Sequence, residues 1–351
     1  MKKILVIGHF GFKENLLNGQ TIKTKTITSE IKKRYGDKNV LTIDTRGGVF
    51  KRLFAFLRIF IYFFNVSDIV FLPAQSGIRK ILPILTSTNK VFKRKLHYIV
   101  VGGWIGDVAE TNKKILKNLK KVDCIYPETK LIESQLNRLG ITNTFVMPNG
   151  KKLKILTESD LHSPDHQLIK LCTFSRVSKQ KGLEDAINAV TLVNRESNVR
   201  FSLDIYGQIS DTEKEWFELL TKLFNKDIKY CGQIGYKDSV DCLSKYDILL
   251  FPTYYEGEGF AGTIVDAFSA GLPVIASNWK SNSEIVDEKT GFLFETHNIE
   301  DLKNKILLAS KDLNHLFDMK KECIKKASNY RIDCVIQILC NNILNKNEVS
   351  K

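Results

Sequence analysis

The aromatic-rich stretch from Phe50 to Phe64 falls short of the roughly 20 apolar residues that a membrane-crossing helix needs. No apolar leader opens the chain either: Met1-Lys-Lys runs directly into Ile4-Leu-Val-Ile7 and Gly8, so no secretory signal is expected. The seven cysteines are odd in number, scattered and without a Cys-x-x-Cys pair. That usage predicts reduced, mostly buried thiols in a cytoplasmic protein. The six histidines form no cluster with cysteines or acids beyond His162 and His166 in a polar linker, so a solvated linker is expected there and no metal site. Low-complexity segments and short repeats are absent. What remains, at 43% hydrophobic and 26% charged over 351 residues, is a soluble globular chain long enough for two domains.

The charge is uneven. Residues 1–160 hold 29 Lys and Arg against 12 acids, whereas 161–351 hold 24 against 27, so the whole net charge of +14 resides in the first half. Such an asymmetry suits an anionic partner, either nucleic acid or acidic lipid; a generally lysine-rich composition is the alternative. Phe50-Lys-Arg-Leu-Phe-Ala-Phe-Leu-Arg-Ile-Phe-Ile-Tyr-Phe-Phe64 favours lipid. It is too short and too charged to span, but a cationic aromatic helix can lie in a membrane interface. Burial against a sheet is the competing reading, and both hold if one face packs and the other meets lipid.

Two series of alternating strand and helix signals follow one another. The first predicts strands near Ile4–Ile7, Val40–Ile43, Ile69–Leu72, Leu96–Val101, Cys124–Tyr126 and Thr144–Val146, with helices such as Thr21–Tyr35 and Lys130–Leu139. A polar linker over Lys151–Gln167 separates it from the second. That series predicts strands near Leu168–Phe174, Arg200–Tyr206, Ile228–Tyr230, Ile248–Phe251, Val274–Ala276 and Gly291–Phe294. Helices are expected at Leu183–Val193, Glu213–Phe224, Asp238–Ser244, Thr263–Ser269 and Ile299–Ser310, and a helical tail over Leu313–Asn345. Strands separated by helices imply parallel sheets, here two Rossmann-like α/β domains facing a cleft.

The densest chemistry lies in Glu258-Gly-Phe-Ala-Gly-Thr-Ile-Val-Asp266, continuing Ala-Phe-Ser-Ala-Gly271-Leu-Pro273-Val. It places an acid at the mouth of a strand–loop–helix unit and a second acid two helical turns on. Loop amides and the following helix N-terminus favour an anion such as phosphate, while carboxylates suit sugar hydroxyls. Upstream, Arg176-Val-Ser-Lys-Gln-Lys181-Gly182 puts two cations on one rim, a number suited to a diphosphate. Glu256 reads as a solvated loop acid.

These segments resemble the E-x7-E signature, the Ala-x-x-Ala-Gly-x-Pro-Val run and the Arg-x4-Lys-Gly clamp of retaining glycosyltransferases of family 4, with Asp266 in place of the usual second Glu. The resemblance implies a GT-B fold: an acceptor domain over 1–160, a nucleotide-sugar domain over 161–325, and a helix over 326–351 packing back on the first. It assigns Arg176 and Lys181 to the leaving diphosphate, Glu258 to hydroxyls of the donor sugar and Asp266 to the ribose. Gly207, Gly232, Phe260, Ala261 and Gly262 would line the donor. On the acceptor side it points to His9, Gly19, Trp104 and Asp107; the histidine many members carry near Trp104 is absent. Pro148-Asn149-Gly150 is expected as a turn. The implied reaction moves a hexosyl group from a nucleotide sugar to a lipid-linked saccharide, without metal or other cofactor. It would take place at the inner face of a bacterial membrane, with the basic first domain on anionic lipid and no nucleic acid bound. Alternatives are a nucleotide-sugar epimerase on the same scaffold and a basic nucleic-acid-binding protein. A Rossmann dehydrogenase lacks its full glycine fingerprint, and Asp44 lies farther on than that fingerprint's acid.

Overall fold

The computed structural model describes residues 3–12, 19–46 and 57–344. Lys51, Arg52 and the aromatics at 50, 54 and 56 lie outside the described residues. Contacts divide the chain into two units, unit 1 of residues 1–152 with 330–351, and unit 2 of residues 153–329.

Unit 1 runs β1 (Ile4–Gly8), α1 (Gly19–Tyr35), β2 (Val40–Asp44), α2 (residues 57–63), β3 (Asp68–Leu72), α3 (Gln75–Phe92) and β4 (Lys95–Ile99). It continues with α4 (Ile105–Thr111), α5 (Lys113–Leu119), β5 (Cys124–Tyr126) and α6 (Lys130–Arg138). The sheet order is β2-β1-β3-β4-β5 and every pairing is parallel. β1 and β3 are buried along their whole length, which fits the apolar runs Ile4–Ile7 and Ile69–Leu72.

Thr144–Val146 is not a strand. Its contact with β5 shrinks to one bridge between Ile125 and Thr144. The predicted helical tail breaks at a short 3-10 turn, Ser328–Tyr330, into α13 (Leu313–Ala327) of unit 2 and α14 (Ile332–Leu344) of unit 1. α14 joins the core beside α1: Ile332, Val335, Ile336 and Leu339 pack with Ile4, Val6, Phe10 and Ile27. Gly150 closes the Pro-Asn-Gly turn against it; a Cβ there would lie 2.9 Å from the Cβ of Val335.

Unit 2 runs β6 (Leu168–Phe174), α7 (Leu183–Glu196), β7 (Arg200–Tyr206), α8 (Lys214–Thr221), β8 (Ile228–Gly232), α9 (Ser239–Leu243) and β9 (Ile248–Phe251). Then come α10 (Gly262–Ser269), β10 (Val274–Ser277), α11 (Asn282–Ile285), β11 (Gly291–Phe294), α12 (Ile299–Lys311) and α13. The order β11-β10-β9-β6-β7-β8 is doubly wound, and the chain reverses direction across the sheet between β6 and β9. In such sheets ligands bind beyond the strand carboxyl ends at that reversal.

The linker is not merely solvated. His162 Nε2 lies 3.0 Å from Asp247 Oδ1, and Lys320, only 1% exposed, places its Nζ 3.2 Å from the same oxygen and 3.3 Å from the His162 carbonyl. Burial alone would raise the Asp247 carboxyl, but His162, Lys320 and the Lys170 amide together hold it below its ordinary range.

Candidate functional site

The reversal in unit 2 brings together two loops, 175–182 leaving β6 and 252–261 leaving β9. The first ends in a 3-10 turn, Lys179–Lys181, closed by Gly182 at φ 68°. A Cβ on Gly182 would sit 2.0 Å from the carbonyl oxygen of Pro252. Glycine is therefore required twice over, for the left-handed backbone and for the close passage of the second loop. That passage delivers Lys181 to Glu258: Nζ lies 2.5 Å from Oε2, with both side chains 11% exposed. Thr253, fully buried, donates its Oγ1 hydrogen to the same carboxylate oxygen at 2.9 Å.

Tyr255 lies against both cations. Its ring centroid is 5.7 Å from Arg176 Cζ and 5.1 Å from Lys181 Nζ, within cation–π range. The Tyr255 backbone is fixed on both sides, since Trp279 Nε1 donates to its carbonyl and its own amide donates to Thr253 Oγ1. Arg176 is exposed at the rim. Lys181 and Glu258 thus bond each other, and Arg176 joins them through Tyr255.

α10 starts directly after this loop. Its N-cap, Ala261, offers no side-chain cap, so the first-turn amides receive none from that position. Phe260 and Ala261 are nearly buried. Thr263 Oγ1 donates to the Phe174 carbonyl at 2.8 Å and fixes the helix to the end of β6. Asp266 is 4% exposed and lies three residues after Thr263, hence on the same side of α10 one turn on.

Gly207, at φ 148°, is set by the chain itself, because a Cβ there would fall 1.7 Å from the Ser175 carbonyl oxygen. Gly232, at φ 81°, borders open space. Between them, Tyr230 donates to the Gly207 carbonyl at 2.8 Å. Tyr206 bonds Tyr246, which donates to Asp204 at 2.6 Å. Glu256 is exposed and paired with Lys280 at 3.1 Å.

In unit 1, Arg46 Nη1 lies 3.2 Å from His9 Nε2. A guanidinium only donates, so the His9 proton sits on Nδ1, which donates to Thr21 Oγ1 at 2.8 Å. Asp44 is occupied by the loop after β1: its Oδ1 accepts from the amides of Phe10 at 3.0 Å and Arg46 at 2.9 Å. Gly19 opens α1 with open space at its Cβ position. Trp104 is a packing element: it lies in the unit 1 core and spends its Nε1 hydrogen on the Val101 carbonyl at 2.7 Å. Asp107 is exposed in the first turn of α4.

Residue-type reasoning did not single out four residues that the structure places at or near the sheet edges. Thr253 and Tyr255 read as ordinary loop residues. Lys23 and Glu128 form a buried ion pair at the carboxyl edge of the unit 1 sheet, where Lys23 also donates to the Val100 carbonyl at 3.0 Å. Nothing in the local sequence pairs residues so far apart along the chain; only the β1–α1 and β5 edges bring them together.

Residues 158–329, nearly all of unit 2, match the family described as Glycosyl transferases group 1. The poly(ribitol-phosphate) alpha-N-acetylglucosaminyltransferase of Staphylococcus aureus is 27% identical over 208 residues, which are 58% of this chain and 40% of that one. The chain spans about half the length of the curated relatives it matches. Among solved structures, Anabaena HepE in complex with UDP and glucose is 16% identical, with a TM-score of 0.73 over 98% of this chain and 99% of that one. A sucrose-phosphate synthase from Thermosynechococcus elongatus is 16% identical, with a TM-score of 0.78 over 100% of both. The fold is GT-B, two Rossmann-like domains.

Proposed function

We propose that this chain is a retaining glycosyltransferase. It moves a hexosyl group from a nucleoside-diphosphate sugar to a saccharide acceptor, lipid-linked, in the assembly of a bacterial surface polysaccharide. Unit 2 takes the donor and unit 1 the acceptor. The observation that carries the reading is the Arg176–Tyr255–Lys181–Glu258 cluster at the sheet reversal, inside the residues that match the group 1 family. The names of relatives support the polymer context, among them the ribitol-phosphate enzyme and a 27% identical protein of a Klebsiella pneumoniae cps region.

In this reading Arg176 and Lys181 meet the diphosphate as it departs, stabilising charge that develops in the transition state. Glu258 accepts hydrogen bonds from hydroxyls of the transferred sugar and keeps Lys181 aimed at the bond that breaks. The α10 amides face phosphate or sugar, and Asp266 takes the ribose. His9, Gly19 and Asp107 stand on the acceptor side.

Thermal stabilisation across a panel of nucleotide sugars identifies the donor, since a ligand bound to the folded state raises the melting point by mass action. Nucleotide release with acceptor then tests the roles. Glu258→Ala and Arg176→Ala should each lose about 10²–10³ in rate. Unchanged turnover in both removes the assignment. A product made without acceptor would make the chain an epimerase instead, and the anomeric configuration of the product decides whether transfer retains.

A further inference from the structure

One apolar face of unit 1 is left uncovered among the described residues. α2 packs Ile59 and Phe63 into the core and leaves Leu57, Phe60, Ile61 and Phe64 exposed by 58%, 53%, 56% and 62%. The four sit at i, i+3, i+4 and i+7, a stripe along one side of the helix. It continues onto the end of α3, where the Phe92 ring meets Phe60 and Phe64 edge-on at 5.8 and 4.7 Å and Val91 is 78% exposed. Exposed apolar residues normally scatter singly; a contiguous set with a charged rim marks an interaction site.

The rim has one sign. Arg58 lies on α2 and donates to Tyr62 Oη at 2.6 Å. Lys90 and Lys93 stand on either side of Phe92 and are exposed. From residue 45 to 106 the sequence holds ten Lys and Arg and a single acid, Asp68, which is 3% exposed and bonded to His97.

We propose that this face docks on an anionic lipid surface, with the α2 stripe in the headgroup–acyl boundary and Arg58, Lys90 and Lys93 on lipid phosphates. No helix of the described residues is long and apolar enough to cross a membrane, so the mode is lying on the surface. A second copy seated on the same face in a two-fold dimer would set these cations against themselves. The inference extends the lipid-linked acceptor proposed above without depending on it. Vesicle binding is measured with neither donor nor acceptor, so it can fail while transfer to a soluble acceptor persists, and the reverse.

The experiment is co-sedimentation of the full chain with phosphatidylcholine vesicles, with and without phosphatidylglycerol. The wild type should partition to the anionic vesicles, release as salt rises, and leave the neutral ones. Phe60→Ser with Phe64→Ser, and separately Lys90→Glu with Lys93→Glu, should each lower the partition constant about tenfold or more, with both proteins still folding cooperatively; the serine pair loses ring contacts with Phe92 and melts somewhat lower, whereas the glutamate pair should melt near wild type. Equal partition of wild type and both variants overturns the proposal. So does a wild type that ignores anionic vesicles but sediments as a dimer broken by the serine changes.

Discussion

Lys181 Nζ and Glu258 Oε2 stand 2.5 Å apart, joining the two loops that leave the strands flanking the sheet reversal. In the proposed reading, a donor diphosphate at this edge would meet a lysine already aimed by a carboxylate. The two residues should therefore act as one unit. Lys181→Met and Glu258→Gln are each expected to lower turnover about 10²–10³-fold, and the double variant should be little worse than the poorer single. Losses that multiply in the double-mutant cycle would show that the pair is not coupled in catalysis.

Tyr255 makes a subtler prediction. Its ring touches both cations, and its backbone is held by Trp279 and Thr253. Tyr255→Phe keeps the π face and should leave donor affinity near wild type. Tyr255→Leu removes it and should weaken donor binding about 2- to 30-fold, the equivalent of ~0.5–2 kcal/mol of cation–π attraction. Calorimetric titration of both variants decides: similar affinities would reduce Tyr255 to packing.

The strands of unit 2 were legible because each is an apolar run bounded by turn signals and followed by a helical period; Leu168–Phe174, Arg200–Tyr206 and Gly291–Phe294 match the structure to the residue. Thr144–Val146 carried the same β-rich composition, but only one bridge to β5 forms, and composition says nothing about whether a partner edge is reached. Motif spacing singled out Arg176, Lys181 and Glu258, which the structure gathers around Tyr255. Their mutual contact was not legible, since no spacing rule brings Lys181 to Glu258, 77 residues later. The packing of Trp104 was likewise not legible, since nothing near it in the sequence shows that its ring joins the unit 1 core.

Gly182 should be intolerant of any side chain. Its φ of 68° disfavours L-residues, and a Cβ would overlap Pro252 O at 2.0 Å. Gly182→Ala must push the 252–261 loop away, separating Lys181 from Glu258. We expect a loss of at least ~1–3 kcal/mol in stability together with lost donor affinity. A variant as stable and as active as wild type would place the two loops differently.

Lys320 anchors the linker from within the core of unit 2, with Asp247, His162 and the Tyr246 carbonyl as its partners. Removing one member of a buried pair leaves the other charge uncompensated, so Lys320→Met should cost about 3–5 kcal/mol, and Lys320→Met with Asp247→Leu should regain much of it. Urea denaturation measures both. A double variant no better than the single would mean that Lys320 contributes through His162 and the Tyr246 carbonyl rather than through Asp247.

His97 supplies a pH signature in unit 1. It is fully buried; Tyr126 Oη lies 2.9 Å from its Nδ1 and Asp68 Oδ1 3.1 Å from its Nε2, an arrangement that suits the neutral ring with its proton on Nε2. Burial pushes its protonation below the ordinary 6.5, outweighing the pull of Asp68. The unfolded chain therefore takes up a proton near 6.5 that the folded chain refuses until lower pH. Stability falls as pH drops below 6.5, by up to about 1.4 kcal/mol per pH unit, and levels off once the folded ring protonates. His97→Gln does not titrate and retains a donor for Asp68. Its stability at pH 7.5 should be lower, yet it should lose less on acidification to pH 5.5. Parallel pH profiles for the two proteins, measured by urea midpoints, would assign the acid sensitivity to groups other than His97.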